Sequence, residues 1–62
     1  MHNAWTAEIV GRLHLLNLRK KDLAEMTGYK VEYISMILNG KRDTKKARET
    51  IEKALAELER SA

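Results

Sequence analysis

Residues 17–40 read NLRKKDLAEMTGYKVEYISMILNG. Ala24 and Gly28 stand four apart, and Ile34 follows six residues later, between clusters of Lys and Arg. Those offsets meet three demands of two short helices that cross closely. The inner residue of the first helix must be small, as Ala24 is. The turn needs a residue at positive φ, which glycine reaches at least cost, and Gly28 supplies it. The second helix must anchor on the first and on the core, through Ile34 and then Ile37. Leu23 adds the remaining core contact. The spacing predicts one helix over about 20–27 and a second over about 31–38, with Asn39-Gly40 as stop and turn.

Such a pair is a helix-turn-helix. Around it the chain contains no proline, three glycines and no phenylalanine, and good helix formers dominate. No segment alternates long enough for a strand. Upstream, Ile9, Leu13 and Leu16 form a helical stripe that Trp5 extends backwards. Thr6 is the expected N-cap of this first helix, with Trp5 and Val10 as a hydrophobic staple. Gly11 inside it costs about 1 kcal/mol relative to alanine, which close approach of another helix would explain. Residues 16–19 form the break. Downstream, Asp43 or Thr44 caps a long last helix with Ala47, Ile51, Ala54 and Leu58 on one face and Leu55 beside them. Its outer face offers the pairs Lys45 with Glu49, Arg48 with Glu52, and Glu49 with Lys53. The expected fold is all-α, a small bundle of four or five helices.

The chain has 62 residues, so a single domain spanning 1–62 is expected. A chain this small has little room for a sheltered pocket. Cysteine is absent, which excludes disulfides and thiolate chemistry. His2 and His14 make a poor zinc site, and no metal or cofactor is expected. No Ser-His-Asp, paired-carboxylate or phosphate-loop arrangement occurs, so an enzyme is the least expected class. The N-terminus lacks the pattern of a signal peptide, and no apolar run is long enough for a membrane span. A cytoplasmic protein is expected. The net charge is +3, with a sequence pI of about 9.5. From Arg12 to Arg48 there are ten Lys and Arg against four acids, a balance of +6. A basic middle with an acidic end points to a polyanion as partner.

At residues 16–40 the chain resembles the phage lambda repressor and Cro-like helix-turn-helix DNA-binding proteins, the XRE-type transcriptional regulators. The family pattern of Leu-Ala, Gly, Ile or Val, and Asn-Gly is matched by Leu23-Ala24, Gly28, Ile34 and Asn39-Gly40. Thr27 stands where the family usually has an apolar residue, and Met26 is expected to supply that packing. Tyr29 stands where valine is frequent, and is expected in the core with its hydroxyl at the surface. One longer helix is expected where the family usually has two short ones.

The resemblance implies a sequence-specific, repressor-like regulator of the kind found in phages and mobile elements. The helix from Val31 would enter the major groove. Lys30, Val31, Glu32, Tyr33, Ser35 and Met36 occupy or flank the base-facing positions. Glu32 can accept from a cytosine amino group, Lys30 can donate to guanine, and Val31 or Met36 can meet a thymine methyl. Arg19, Lys20, Lys21, Asn39, Lys41 and Arg42 are the expected phosphate contacts, Lys20 at a helix N-terminus that is itself an anion site. Lys45 and Lys46 stand nearby. One recognition helix reads only a few base pairs, so a homodimer on a palindromic operator is expected. Its expected interface is the last helix, through Ile51, Leu55 and Leu58. The alternative is a helical protein-interaction module, antitoxin-like or adaptor-like, that keeps the fold without reading DNA.

Overall fold

The computed structural model describes residues 4–61. Within them lie four helices and no strand: α1 (Ala4–Leu15), α2 (Lys20–Thr27), α3 (Val31–Leu38) and α4 (Lys45–Ser61). The single long α4 takes the place of two short closing helices. His2 lies outside the described residues.

Helix ends follow from local chemistry. α1 closes in a Schellman turn. The Leu18 N–H donates to the Leu13 carbonyl at 2.8 Å and the Asn17 N–H to the His14 carbonyl at 3.0 Å, with Asn17 at φ 59°. At the start of α2 the Asp22 carboxylate accepts the Arg19 N–H at 2.8 Å, meeting a donor that the helix leaves unpaired. α2 ends at Gly28, φ 81°, whose N–H donates to the Ala24 carbonyl at 2.9 Å. α3 ends in a second Schellman turn with Gly40 at φ 79°. Thr44, rather than Asp43, caps α4, and its hydroxyl accepts the Ala47 N–H at 3.1 Å.

α1 corrects two expectations. The helix is already running at Ala4, so Thr6 is an interior helical residue and not the N-cap. Thr6 is 1% exposed on the same face as Ile9 and Leu13. Val10 faces outward, so the staple with Trp5 does not form. Trp5 packs against the core instead, with the Arg48 guanidinium 4.8 Å from its ring centroid.

The core is one cluster of Ile9, Leu13, Leu23, Ala24, Ile34, Ile37, Leu38, Ala47, Ile51, Ala54 and Leu55. Each fully buried Leu or Ile contributes about 1.5–3 kcal/mol. α2 packs on both α3 and α4, and α1 packs on α3. Side-chain ion pairs then join α1 to α4. Arg12 lies 2.9 Å from Glu52, 2.6 Å from Glu59 and 3.5 Å from Glu8.

This network displaces the expected pairs along α4. Arg48 turns to Asp43 at 2.7 Å, while Glu52 serves Arg12. Among the described residues, Lys45 and Lys53 have no ion-pair partner. Ile51 and Leu55 are wholly buried in the core, so they offer no dimer stripe, and Leu58 is only half-buried outside that cluster.

Candidate nucleic-acid interface

α3 buries Ile34, Ile37 and Leu38 and turns its opposite side outward. Glu32 and Met36 lie almost diametrically opposite that buried face, by the helical period of 100° per residue. Both are exposed, as is Val31. Lys30 precedes the helix as its N-cap residue, exposed, with extended backbone. Ser35 and Tyr33 flank the outer side and are half-buried. The six candidate base-facing residues therefore lie on one helix and its N-cap residue, four of them exposed.

The turn is built more tightly than apolar packing alone requires. Thr27 directs its hydroxyl to the carbonyls of Leu23 at 3.0 Å and Ala24 at 3.2 Å, and the same oxygen accepts the Tyr29 N–H at 3.2 Å. The hydroxyl thus pins the backbone on both sides of Gly28. Met26 is 47% exposed, so the expected packing by Met26 does not occur. The polar residue before the glycine is explained by hydrogen bonding instead.

Tyr29 packs against the core and meets the Tyr33 ring edge-on, centroids 4.9 Å apart at 70°. That edge-to-face geometry is the favoured one for aromatic pairs. The Arg42 guanidinium lies 6.0 Å from the Tyr33 centroid. Tyr33 is therefore held between the turn and the segment after α3. Tyr29, Lys30, Glu32, Tyr33 and Met36 line one shallow depression beside the turn. Tyr29 stands outside the expected site residues. Its place directly after the turn glycine, four before Tyr33, is the sequence signal that links it to the site.

Cations flank α3 on both chain sides. The turn after α3 folds back so that the Lys41 and Arg42 N–H groups both donate to the Met36 carbonyl, at 2.9 and 3.2 Å. This fixes the backbone of Lys41 and Arg42 at the end of the helix. Asn39 is exposed, with only a long 3.5 Å contact from its amide to the Ser35 hydroxyl. Arg19, Lys20 and Lys21 sit exposed at the start of α2.

The cations divide into two groups. Arg12, Arg48 and Arg60 are held by carboxylates of the chain itself. Among the described residues, Arg19, Lys20, Lys21, Lys30, Lys41, Arg42, Lys45, Lys46 and Lys53 have no carboxylate within ion-pair distance. Apart from Lys53 in the middle of α4, the unpaired charge thus lies at the start of α2, on either chain side of α3 and at the start of α4, where it can meet an external anion. The described residues contain no group of three or more His, Asp or Glu that could hold a metal ion. No helix among them is long and apolar enough to cross a membrane.

A family model described as Helix-turn-helix covers residues 12–61, from the Arg12 ion-pair hub to the end of α4. No curated protein and no solved structure gives a significant match.

Proposed function

Because the chain belongs to the XRE and lambda repressor-like helix-turn-helix family, we propose that it is a sequence-specific transcriptional regulator of the repressor kind, acting as one domain over its 62 residues. α3 lies in the major groove of double-stranded DNA. Glu32 and Met36 meet base edges at the centre of the contact, with Lys30, Val31, Tyr33 and Ser35 around them. Arg19, Lys20 and Lys21 hold the phosphates at one end, and Asn39, Lys41 and Arg42 hold those at the other. Two copies occupy two half-sites of a palindrome about one helical turn apart, because one eight-residue recognition helix spans only a few base pairs.

The observation that carries this reading is the division of the cations. A chain in which Lys and Arg merely solvate helix faces scatters its unpaired charge. Here eight of the nine unpaired cations, all but Lys53, fall at the start of α2, on either chain side of α3 and at the start of α4.

Selection of bound duplexes from a random pool tests the proposal, followed by affinity measurement against salt. A defined half-site is expected, and log K falling by about 0.9 for each phosphate neutralised. No enriched site together with a flat salt slope would sink it, and would favour a protein-interaction module on the same fold.

A further inference from the structure

We propose that Tyr33 acts on DNA through Arg42, as a positioning residue that sets the Arg42 guanidinium for a phosphate beyond the end of α3. This role rests on the proposed reading of DNA by α3, in which Arg42 meets the backbone. The guanidinium lies 6.0 Å from the Tyr33 centroid, within reach of the attraction that a ring exerts on a cation. The Tyr33 ring is itself fixed. Tyr29 meets it edge-on at 4.9 Å, and both tyrosines pack against the core. The other end of Arg42 is tied as well, since its backbone N–H donates to the Met36 carbonyl at 3.2 Å. Tyr33 and Met36 are three apart on α3 and so are neighbours on its surface. The recognition helix thus holds Arg42 at both its backbone and its charged tip.

Arg48 shows what is particular about this arrangement. It too lies against a ring, 4.8 Å from the Trp5 centroid. Its Nε and Nη2, however, donate to Asp43 at 2.7 and 2.9 Å, so its fork is spent within the chain. Arg42 has the ring and, among the described residues, no carboxylate within ion-pair distance. A ring attracts the charge and places no carboxylate oxygen in the fork, which stays open to a phosphate. A free arginine loses much side-chain freedom when it grips an anion. One already held loses less, and binding gains the difference. With its ring engaged by Tyr29 and Arg42, Tyr33 leaves base reading to Glu32 and Met36 on the outer side.

Two measurements test this, one without DNA. In the free parent chain, ¹⁵N relaxation of the arginine Nε groups is expected to show Arg42 more ordered than Arg19, which lies at the other phosphate cluster with no carboxylate within ion-pair distance. Equal disorder at the two sites overturns the proposal, with no variant needed. On the duplex selected by the parent, Tyr33→Leu is expected to weaken binding by about two- to fivefold per copy. Circular dichroism verifies that this variant stays folded. Tyr33→Phe keeps the ring and is expected to restore the parent affinity. In an Arg42→Ala background, Tyr33→Leu is expected to have no further effect, because the two residues act as one unit. The half-site selected by Tyr33→Leu is expected to match that of the parent. Equal losses with and without Arg42, failure of Tyr33→Phe to restore affinity, or a changed half-site would each overturn the proposal. A parent chain that binds no duplex refutes the regulator and the phosphate role together, whereas an ordered Arg42 would still stand as a feature of the free chain.

Discussion

Arg12 grips Glu59 across 47 positions of sequence, with its Nε donating at 2.8 Å and its Nη2 at 2.6 Å to the two carboxylate oxygens. Its remaining nitrogen, Nη1, donates to Glu52 at 2.9 Å. A planar guanidinium suits this two-toothed grip, and a lysine would not reproduce it. The pair clasps the last turns of α4 to α1. Hydrogen bonding to Glu59 raises the Arg12 pKa above its ordinary value. Hydrogen bonding from Arg12 lowers that of Glu59.

Arg12→Ala removes this clasp and leaves Glu8, Glu52 and Glu59 facing one another. The groups are partly solvated, so the expected cost is modest, about 1 kcal/mol. For a domain of this size that is a drop of about 4–8 °C in Tm. A thermal melt within about 2 °C of the parent would refute the clasp. Arg12 is not among the proposed DNA contacts, so affinity measured well below Tm is expected to hold.

Acid should loosen the fold through two carboxylates. Glu59 is lowered by its bond from Arg12, and Asp43 by its bond from Arg48. A lowered folded pKa means that the unfolded chain binds more protons as pH falls. The stabilisation is therefore complete above the ordinary values of 4.5 and 3.8 and is lost as pH drops through the folded ones. Tm is expected to be flat from neutral pH to about 5.5 and to fall below about 4.5. The variant carrying both Arg12→Ala and Arg48→Ala is expected to show a shallower acid slope. Equal slopes would mean these pairs do not carry the effect.

Two glycines should respond to alanine with opposite signs. Gly28 holds φ 81°, where an L side chain is strained, so Gly28→Ala is expected to cost about 1–2 kcal/mol. Gly11 is helical with open space beside it, so Gly11→Ala is expected to stabilise by about 0.5–1 kcal/mol. Urea denaturation of each variant against the parent compares them. Equal signs would contradict the backbone assigned at one of the two positions.

On DNA, the proposed base and phosphate roles separate cleanly. Lys41→Ala is expected to weaken all duplexes alike and to reduce the salt slope by about 1. Glu32→Ala is expected to change the selected half-site while leaving the salt slope nearly intact. An unchanged half-site after Glu32→Ala would remove that residue from the base-reading set.

Ala24, Gly28 and Ile34 made the two-helix unit legible in advance. They answer steric demands that act within a span of eleven residues, and α2, α3 and the turn lie where that spacing predicts. The candidate site was legible to the extent that it is one helix face, since the buried residues of α3 define the exposed ones. The role of Thr27 was not, because a threonine before the turn reads equally as a weak core residue. Thr6 was misread for a related reason. A threonine near a helix start has the chemistry of a cap and also falls on the stripe with Ile9 and Leu13.

By itself, then, the sequence determined the helices, their stops and the basic surround of α3, all set by interactions between near neighbours in the chain. Only the tertiary structure decided which charges are spent and which apolar residues are left over. Arg12 reaches Glu52 and Glu59 because α1 and α4 come together, and Arg48 goes to Asp43 and Trp5. Ile51 and Leu55 vanish into the core while Val10 and Leu15 stay outside. Helical periodicity marks a face as apolar, but whether another helix covers it depends on contacts between residues far apart in the chain.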